Sequence, residues 1–277
     1  MNDGIRKIAD MLACPQCRGA LAQTGADSFS CMACRTVYPV TDGILDMRKS
    51  ADREKAESVG WSAHWGEEHQ GTMFQKFFSF YRTHVFARTV RYFLRRYFPK
   101  KGVFLEAGSG TAETSVLVDT YGNDRTLIAL DIVFPVLKMC HSVMDVRVCG
   151  DGFRLPLRDA SIDGIWNLGV MEHFGHEQID EMIREFRRVL KPKGRIILFW
   201  PAKNSIPQKM LKLVEKVINL KKREHRFQFH PDEISQLQSN RQAREIMKKN
   251  GFTPLYVDWG LRSLMAFKSV VGEKNQT

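Results

Sequence analysis

No apolar run in the 277-residue chain reaches the ~18 to 20 residues that a helix needs to cross a bilayer. The opening stretch Met1-Asn2-Asp3-Gly4-Ile5-Arg6-Lys7 has no apolar core of the kind a secretory signal carries. A spanning or exported protein is therefore not expected, and the cytoplasm is the expected compartment. Internal repeats and low-complexity tracts are absent, which excludes solenoids and fibres, while 43% hydrophobic residues suffice for an ordinary core and exclude disorder. Acidic residues are few beside basic ones, 31 against 42, and the net charge of +11 favours an anionic partner without naming one. Cysteine is sparse too, but four of the six fall between positions 14 and 34 as two Cys-x-x-Cys pairs. In a reducing compartment that spacing points to metal and away from disulfides. Cys140 and Cys149 are left as expected buried thiols.

Composition divides the chain into three. Residues 1–50 hold the cysteine pairs, with Gly, Pro and Asp at turns and too few apolar residues to fold on burial alone, so this unit needs a staple. The charged stretch Arg48 to Glu57 marks the boundary. Residues 51–101 form a linker and N-terminal helices, rich in aromatics and base. Trp61 and Trp65 lie in it, and the periodic face Phe86, Val90, Phe93, Leu94 and Tyr97 ends at Pro99.

From residue 102 to 277, short apolar runs alternate with longer polar-apolar stretches. The runs are Val103 to Leu105, Thr126 to Leu130, Val146 to Cys149, Gly164 to Asn167 and Arg195 to Trp200. Strands apolar on both faces and separated by helices describe a parallel sheet in an α/β domain. A helix is expected from Glu177 to Leu190 and another from Arg241 to Asn250. Two further strands at Leu255 to Trp259 and Leu264 to Val271 would close the sheet as an antiparallel hairpin. Ahead of these strands, 201–250 is a basic helical insertion.

Cys14-Pro15-Gln16-Cys17 and Cys31-Met32-Ala33-Cys34 can close one tetrahedral zinc site, with bonds of about 2.3 Å. Four thiolates leave no open position for water, so the metal's role would be structural. A redox dithiol is the alternative, and the second matching pair weighs against it. With the flanks Leu12-Ala13 before the first pair and Tyr38-Pro39-Val40, Asp42-Gly43-Ile44 after the second, residues 10–47 resemble the small zinc-ribbon activator subunits of RNA and protein methyltransferases. In those relatives the ribbon is a scaffold.

After the first strand comes Glu106-Ala107-Gly108-Ser109-Gly110-Thr111-Ala112, an acidic strand end followed by two glycines expected to open a helix. The third glycine of a dinucleotide fingerprint is lacking, with Glu at position 113, and no Gly-Lys-[Ser/Thr] follows to make a phosphate loop. Leu130-Asp131-Ile132 ends the second strand and Gly150-Asp151-Gly152 the third. Three acidic strand ends at this spacing describe a nucleoside pocket along the carboxyl edge of a sheet, although any one of them alone reads as a turn or a cap.

Asn167-Leu168-Gly169-Val170-Met171-Glu172-His173-Phe174 and Leu190-Lys191-Pro192-Lys193-Gly194-Arg195 complete an order that resembles class I S-adenosylmethionine-dependent methyltransferases over residues 100–200. The resemblance implies a Rossmann-like seven-stranded α/β sheet and S-adenosylmethionine as cofactor. It implies Glu106 at the methionyl amino group, with Gly108, Ser109 and Gly110 giving backbone approach. Asp131 with Ile132 would stand at the ribose, Asp151 with Gly152 at the adenine, and Asn167 with Leu168 on the sulfonium side. Glu172 and His173 follow the fourth strand and are the acid/base candidates; the same pair can instead cap or orient the next helix. The run Glu172 to Glu177 also resembles cyclopropane fatty acid synthases, which points toward lipid chemistry.

Basic residues concentrate in two segments, with seven Lys/Arg and no acid from Arg82 to Lys101, and twelve against five from Lys203 to Lys249. In the second, Met210, Leu213, Val214, Val217 and Ile218 line one face beside five lysines. Such a helix can lie on an anionic membrane, at the inner face, or act as a lid over the site. The expected acceptor is a small molecule or a lipid- or glycan-linked one, and RNA is the alternative. No Asn/Asp-Pro-Pro-Tyr/Phe and no Pro-Cys pair stands after the fourth strand, which disfavours two modes of base methylation and leaves guanine and ribose methylation open. A degenerate scaffold that binds no cofactor is a third reading, opposed by the intact acidic series.

Overall fold

The computed structural model describes residues 3–49, 79–201, 234–258, 262 and 266–276. Trp61, Trp65 and the apolar-basic stretch around 210–222 lie outside the described residues.

The apolar runs become strands. They are β5 (Gly102–Ala107), β6 (Arg125–Asp131), β7 (Val146–Cys149), β8 (Ile162–Leu168) and β9 (Leu190–Pro201), followed by β10 (Phe252–Val257) and β11 (Phe267–Lys274). The order is β7-β6-β5-β8-β9-β11-β10, parallel from β7 to β9, with β11 antiparallel to β9 and to β10. Alternate residues of each strand face opposite layers. Phe104, Leu127 and Ala129 pack with Val90, Phe93 and Leu94 of α2 (Ala87–Tyr97) and with α3 (Phe134–Lys138). Leu105, Ile128 and Leu130 pack with Ile179, Met182 and Phe186 of α4 (His176–Val189). Burial on both faces is why these strands are apolar throughout.

The last strands start about three residues away from their expected positions. Helix α5 (Asn240–Lys249) ends at Gly251, whose φ of +78° turns the chain straight into β10. Pro254 is tolerated there because β10 is an edge strand with an irregular register beside it.

The N-terminal unit extends this same sheet. Helix α1 (Asp3–Ile8) precedes β1 (Leu21–Gln23), β2 (Ser28–Cys31), β3 (Val37–Thr41) and β4 (Ile44–Asp46), an antiparallel meander. Strand β4 then pairs in parallel with β7, Ile44 opposite Arg147 and Asp46 opposite Cys149, giving a sheet of eleven strands among the described residues. Ile5, Ile8, Leu12, Phe29, Tyr38 and Leu45 share one core with Val146, Leu157 and Ile183. The staple expected from the sequence is therefore joined by a shared core. Of the two remaining thiols, Cys149 is buried as expected, but Cys140 is partly exposed because α3 ends at Lys138 and releases it toward the surface.

Candidate functional site

The expected helix after the glycine pair is missing. One 3-10 turn, Glu113–Ser115, stands there instead, entered through Ala112 at a left-handed φ of 55°. Thr114 and Ser115 turn their hydroxyls onto Glu106, Ser115 Oγ donating at 2.8 Å and Thr114 Oγ1 at 3.5 Å. Local side-chain bonds of this kind compete with helix propagation.

Glu106 is 2% exposed, and burial pushes its carboxyl up to about 8 against the pull of the Ser115 hydroxyl and of Arg82. Arg82, on the wide turn Arg82–Phe86 before α2, also lies 3.6 Å from Glu113. The segment ahead of the first strand thus brings a guanidinium to the glycine loop. The sequence offered Arg82 only as one of many basic residues.

Two strand ends meet at this loop, and a third joins them through Asp131. The Gly108 and Ser109 amides donate to Leu130 O at 2.8 and 3.0 Å, and the Gly110 amide donates to Asp131 Oδ2 at 2.8 Å. Asp131 Oδ1 accepts from the Val133 amide at 2.9 Å, and Asp131 O accepts from Gly150 N at 2.9 Å. Burial raises the Asp131 carboxyl, and the two amides counter it. Asp151 follows directly, its Oδ1 accepting from Phe153 N at 3.0 Å, and Asp151, Gly152 and Ile132 remain partly exposed. Glu106, Gly108, Ser109, Gly110, Asp131, Ile132, Asp151 and Gly152 thus lie along the carboxyl ends of three adjacent strands.

Strand β8 supplies the other side. Asn167 is fully buried, yet neither its amide nitrogen nor its oxygen has a hydrogen-bond partner among the described residues, and Leu168 beside it is partly exposed. An orphaned amide at a strand end is a demand that a polar ligand would meet. Val170 reaches back over Gly108, where an added Cβ would meet Val170 Cγ2 at 2.5 Å. Gly108 also holds a φ of +71°. Gly108→Ala is accordingly expected to lower stability by about 1–2 kcal/mol from backbone strain alone, read as a shifted urea midpoint at unchanged slope, and to displace Val170.

Glu172 and His173 form the one-turn helix Met171–His173, with His173 Nε2 4.0 Å from Glu172 Oε1. Both are mostly buried, and the Glu172 carbonyl accepts from the Ile234 and Ser235 amides where the chain re-enters after the insertion. At the start of α4, Gln178 Oε1 accepts from Gly175 N at 3.1 Å. Phe174 meets Phe153 edge-on at 5.0 Å, closing this side against the Asp151 loop. A groove of about 390 Å³ between α4 and α5, lined by His176, Ile179, Gln242 and Ile246, contains none of these residues.

Cys14, Cys17, Cys31 and Cys34 place their sulfurs within 4.8 Å of one another, with pairs at 3.4 and 3.5 Å. A tetrahedron of 2.3 Å zinc–sulfur bonds has sulfurs about 3.8 Å apart, so the four thiols suit one zinc ion with no position left over. Hydrogen bonds from Thr36 hold the Cys34 thiol down to about 6, toward the thiolate that ligates. Cys14 Sγ also lies 3.0 Å from Tyr38 Oη inside the shared core.

Comparison with known proteins agrees with both halves. Residues 105–198 match the family model described as a methyltransferase domain, and residues 6–43 match that of Trm112p-like protein. A UPF0434 protein of Nitrosococcus oceani is 38% identical over 50 residues, 18% of this chain and 85% of the relative. A malonyl-[acyl-carrier protein] O-methyltransferase of Methylovorus is 31% identical over 104 residues, 34% of each chain. The chain spans well under half the length of the first curated relatives it matches, 34% and 44%. Among solved structures, the Burkholderia thailandensis 1,6-didemethyltoxoflavin-N1-methyltransferase superposes with a TM-score of 0.54 at 15% identity, covering 91% of this chain and all of the other, which speaks to the fold. Residues 105–198 thus carry a methyltransferase domain and residues 6–43 a Trm112p-like domain.

Proposed function

We propose that the protein transfers a methyl group from S-adenosylmethionine to a small-molecule or lipid- or glycan-type acceptor. The meeting of Glu106 and Asp131 at the loop Gly108–Gly110, with Asp151 following the Gly150 that bonds Asp131, carries this reading, since one adenosyl ligand could touch all three. Asp131 would accept from the ribose hydroxyls and Asp151 from the adenine amino group. Gly108, Ser109 and Gly110 would let backbone approach the methionyl portion, whose ammonium Glu106 would face and whose carboxylate Arg82 would face. When bound, the cofactor supplies a methyl group already activated as an electrophile. What remains for the protein is in-line positioning and exclusion of water. Asn167 and Leu168 would border the methyl group, and Glu172 and His173 would take a proton from the acceptor.

The choice of acceptor class rests on where the basic residues go. Arg91 and Arg95 of α2 pair with Asp119, and Arg82 with Glu113, so part of the charge of this segment is met by carboxylates of the chain and not left wholly for phosphates. The methyltransferases named above act, by their names, on a malonyl group held on an acyl-carrier protein and on 1,6-didemethyltoxoflavin, not on RNA. No helix among the described residues is long and apolar enough to cross a membrane. The test combines two measurements on the purified protein, a radiolabelled methyl donor offered against lysate fractions and the salt dependence of RNA affinity. Label in low-molecular-mass or solvent-extractable material, with weak RNA binding that varies little with salt, is expected. Label in RNA, with affinity falling steeply as salt rises, would reassign the substrate.

The raised Glu106 carboxyl gives a second expected result. Its folded value, about 8, exceeds its ordinary 4.5, so its contribution to the stability of the unliganded protein is full below 4.5 and is lost as pH rises toward 8. A bound ammonium favours the ionised form, so cofactor binding near pH 7 should release a proton. Calorimetry in buffers of different ionisation enthalpy should show that release in the wild type and its disappearance in Glu106→Gln. A wild type that releases no proton would place the ammonium elsewhere.

A further inference from the structure

The zinc ribbon reaches past its own core to the loop that carries Asp151. Arg18 follows Cys17 in the first cysteine turn and holds a φ of 64°, its amide donating to Cys14 O at 2.8 Å. From there its guanidinium donates to Leu155 O at 2.9 Å and to Glu185 Oε1 at 2.9 Å. Glu185, on α4 and 8% exposed, is a hub, since the same Oε1 accepts from Leu155 N at 2.7 Å and from Arg188 Nη2 at 2.9 Å. The neighbouring backbone is tied as well, Ala13 N to Pro156 O at 3.1 Å and Arg158 N to Met11 O at 2.8 Å. Leu155 lies only four residues after Asp151, and the turn between them is braced by Asp151 itself, which accepts from Phe153 N and Arg154 N.

We propose that Arg18 is a positioning residue for the adenine side of the cofactor pocket. Alongside Arg188 and the direct bond from Leu155 N, it helps hold Leu155 against Glu185 and so fix the turn that aims Asp151, and base discrimination is set in part from the zinc ribbon. This rests on the reading that Asp151 meets the adenine amino group. A buried carboxylate that loses one of its charged donors must find another or shift. Arg188 still bridges Glu185 Oε1 and Leu155 O, at 2.9 and 3.2 Å, so losing Arg18 would loosen the turn without freeing it. A merely structural arginine would lower stability and weaken all ligands alike; a positioning arginine changes which base is preferred.

The experiment is calorimetric titration of the full chain with S-adenosylhomocysteine and with S-inosylhomocysteine, which presents a ring carbonyl where adenine presents its amino group. The wild type should favour the adenosyl ligand by about ten-fold or more, the worth of a hydrogen bond to a charged group. Asp151→Ala should remove most of that preference. Arg18→Ala should reduce it several-fold at unchanged zinc content, and Arg18→Lys should restore part of it. If Arg18→Ala loses zinc or fails to fold, Glu185→Gln reads the same relay from the methyltransferase side and leaves the ribbon untouched. Preference lost in Asp151→Ala but kept in whichever relay variant folds with its zinc would overturn the role of Arg18. Preference unchanged in Asp151→Ala would instead overturn the placement of adenine.

Discussion

Asp131→Ala is expected to weaken binding of S-adenosylhomocysteine by about ten- to a hundred-fold, with the fold preserved. Each hydrogen bond to a charged group is worth ~1.5 to 3 kcal/mol, and ~1.4 kcal/mol is a decade in affinity. The carboxylate has two roles in the unliganded protein, receiving the Gly110 amide through one oxygen and the Val133 amide through the other. Alanine removes both anchors as well as the acceptor for the ribose, so glycine-loop order and ligand contact fall together. Asp131→Asn separates these, because an amide oxygen can still receive Gly110 while the charge is gone; its loss should lie between wild type and alanine. Calorimetric titration of the three proteins decides the matter, and equal affinity in all three would put the nucleoside elsewhere.

Cys14→Ser should destabilise the entire chain in one cooperative transition. Structural zinc contributes apparent binding free energies of roughly 10–16 kcal/mol in small zinc domains. Loss of one ligand from a closed four-thiolate site should therefore cost several kcal/mol. What spreads the loss is the continuity of the structure, with β4 hydrogen-bonded along β7 and Cys14, Tyr38 and Leu45 in the same core as Val146 and Leu157. All five tryptophans lie beyond residue 60, outside the ribbon. Their fluorescence should nonetheless report a lowered unfolding midpoint when the ribbon loses metal. Two separate transitions, with the tryptophan signal unmoved, would show that the ribbon folds as an independent appendage.

These two expectations differ in how far the sequence reached them. Asp131, Asp151 and Glu106 were legible because a strand end is marked where an apolar run stops at an acidic residue, and three such stops at methyltransferase spacing define the sheet edge. The cysteines were legible because ligand spacing is local. Pairing of β4 with β7 was not, since an edge strand meets its neighbour through backbone groups that every residue carries, and Ile44-Leu45-Asp46 looks like any short strand. The missing helix after Gly110 was concealed because Thr114 and Ser115 are weak arguments against a helix until their hydroxyls are seen on Glu106. Arg18 and Glu185 left no mark at all. One follows a cysteine among turn residues and the other sits beside the apolar stripe of α4, and only tertiary contact shows that they meet.

The most direct test is a crystal structure of the protein with S-adenosylhomocysteine bound. The expected density has the ribose hydroxyls on Asp131, the adenine beside Asp151 and the homocysteine portion over Gly108 to Gly110 with its ammonium toward Glu106. Ligand density elsewhere, for example in the groove between α4 and α5, with no ligand atom on the three carboxylates, would contradict the assignment of this pocket.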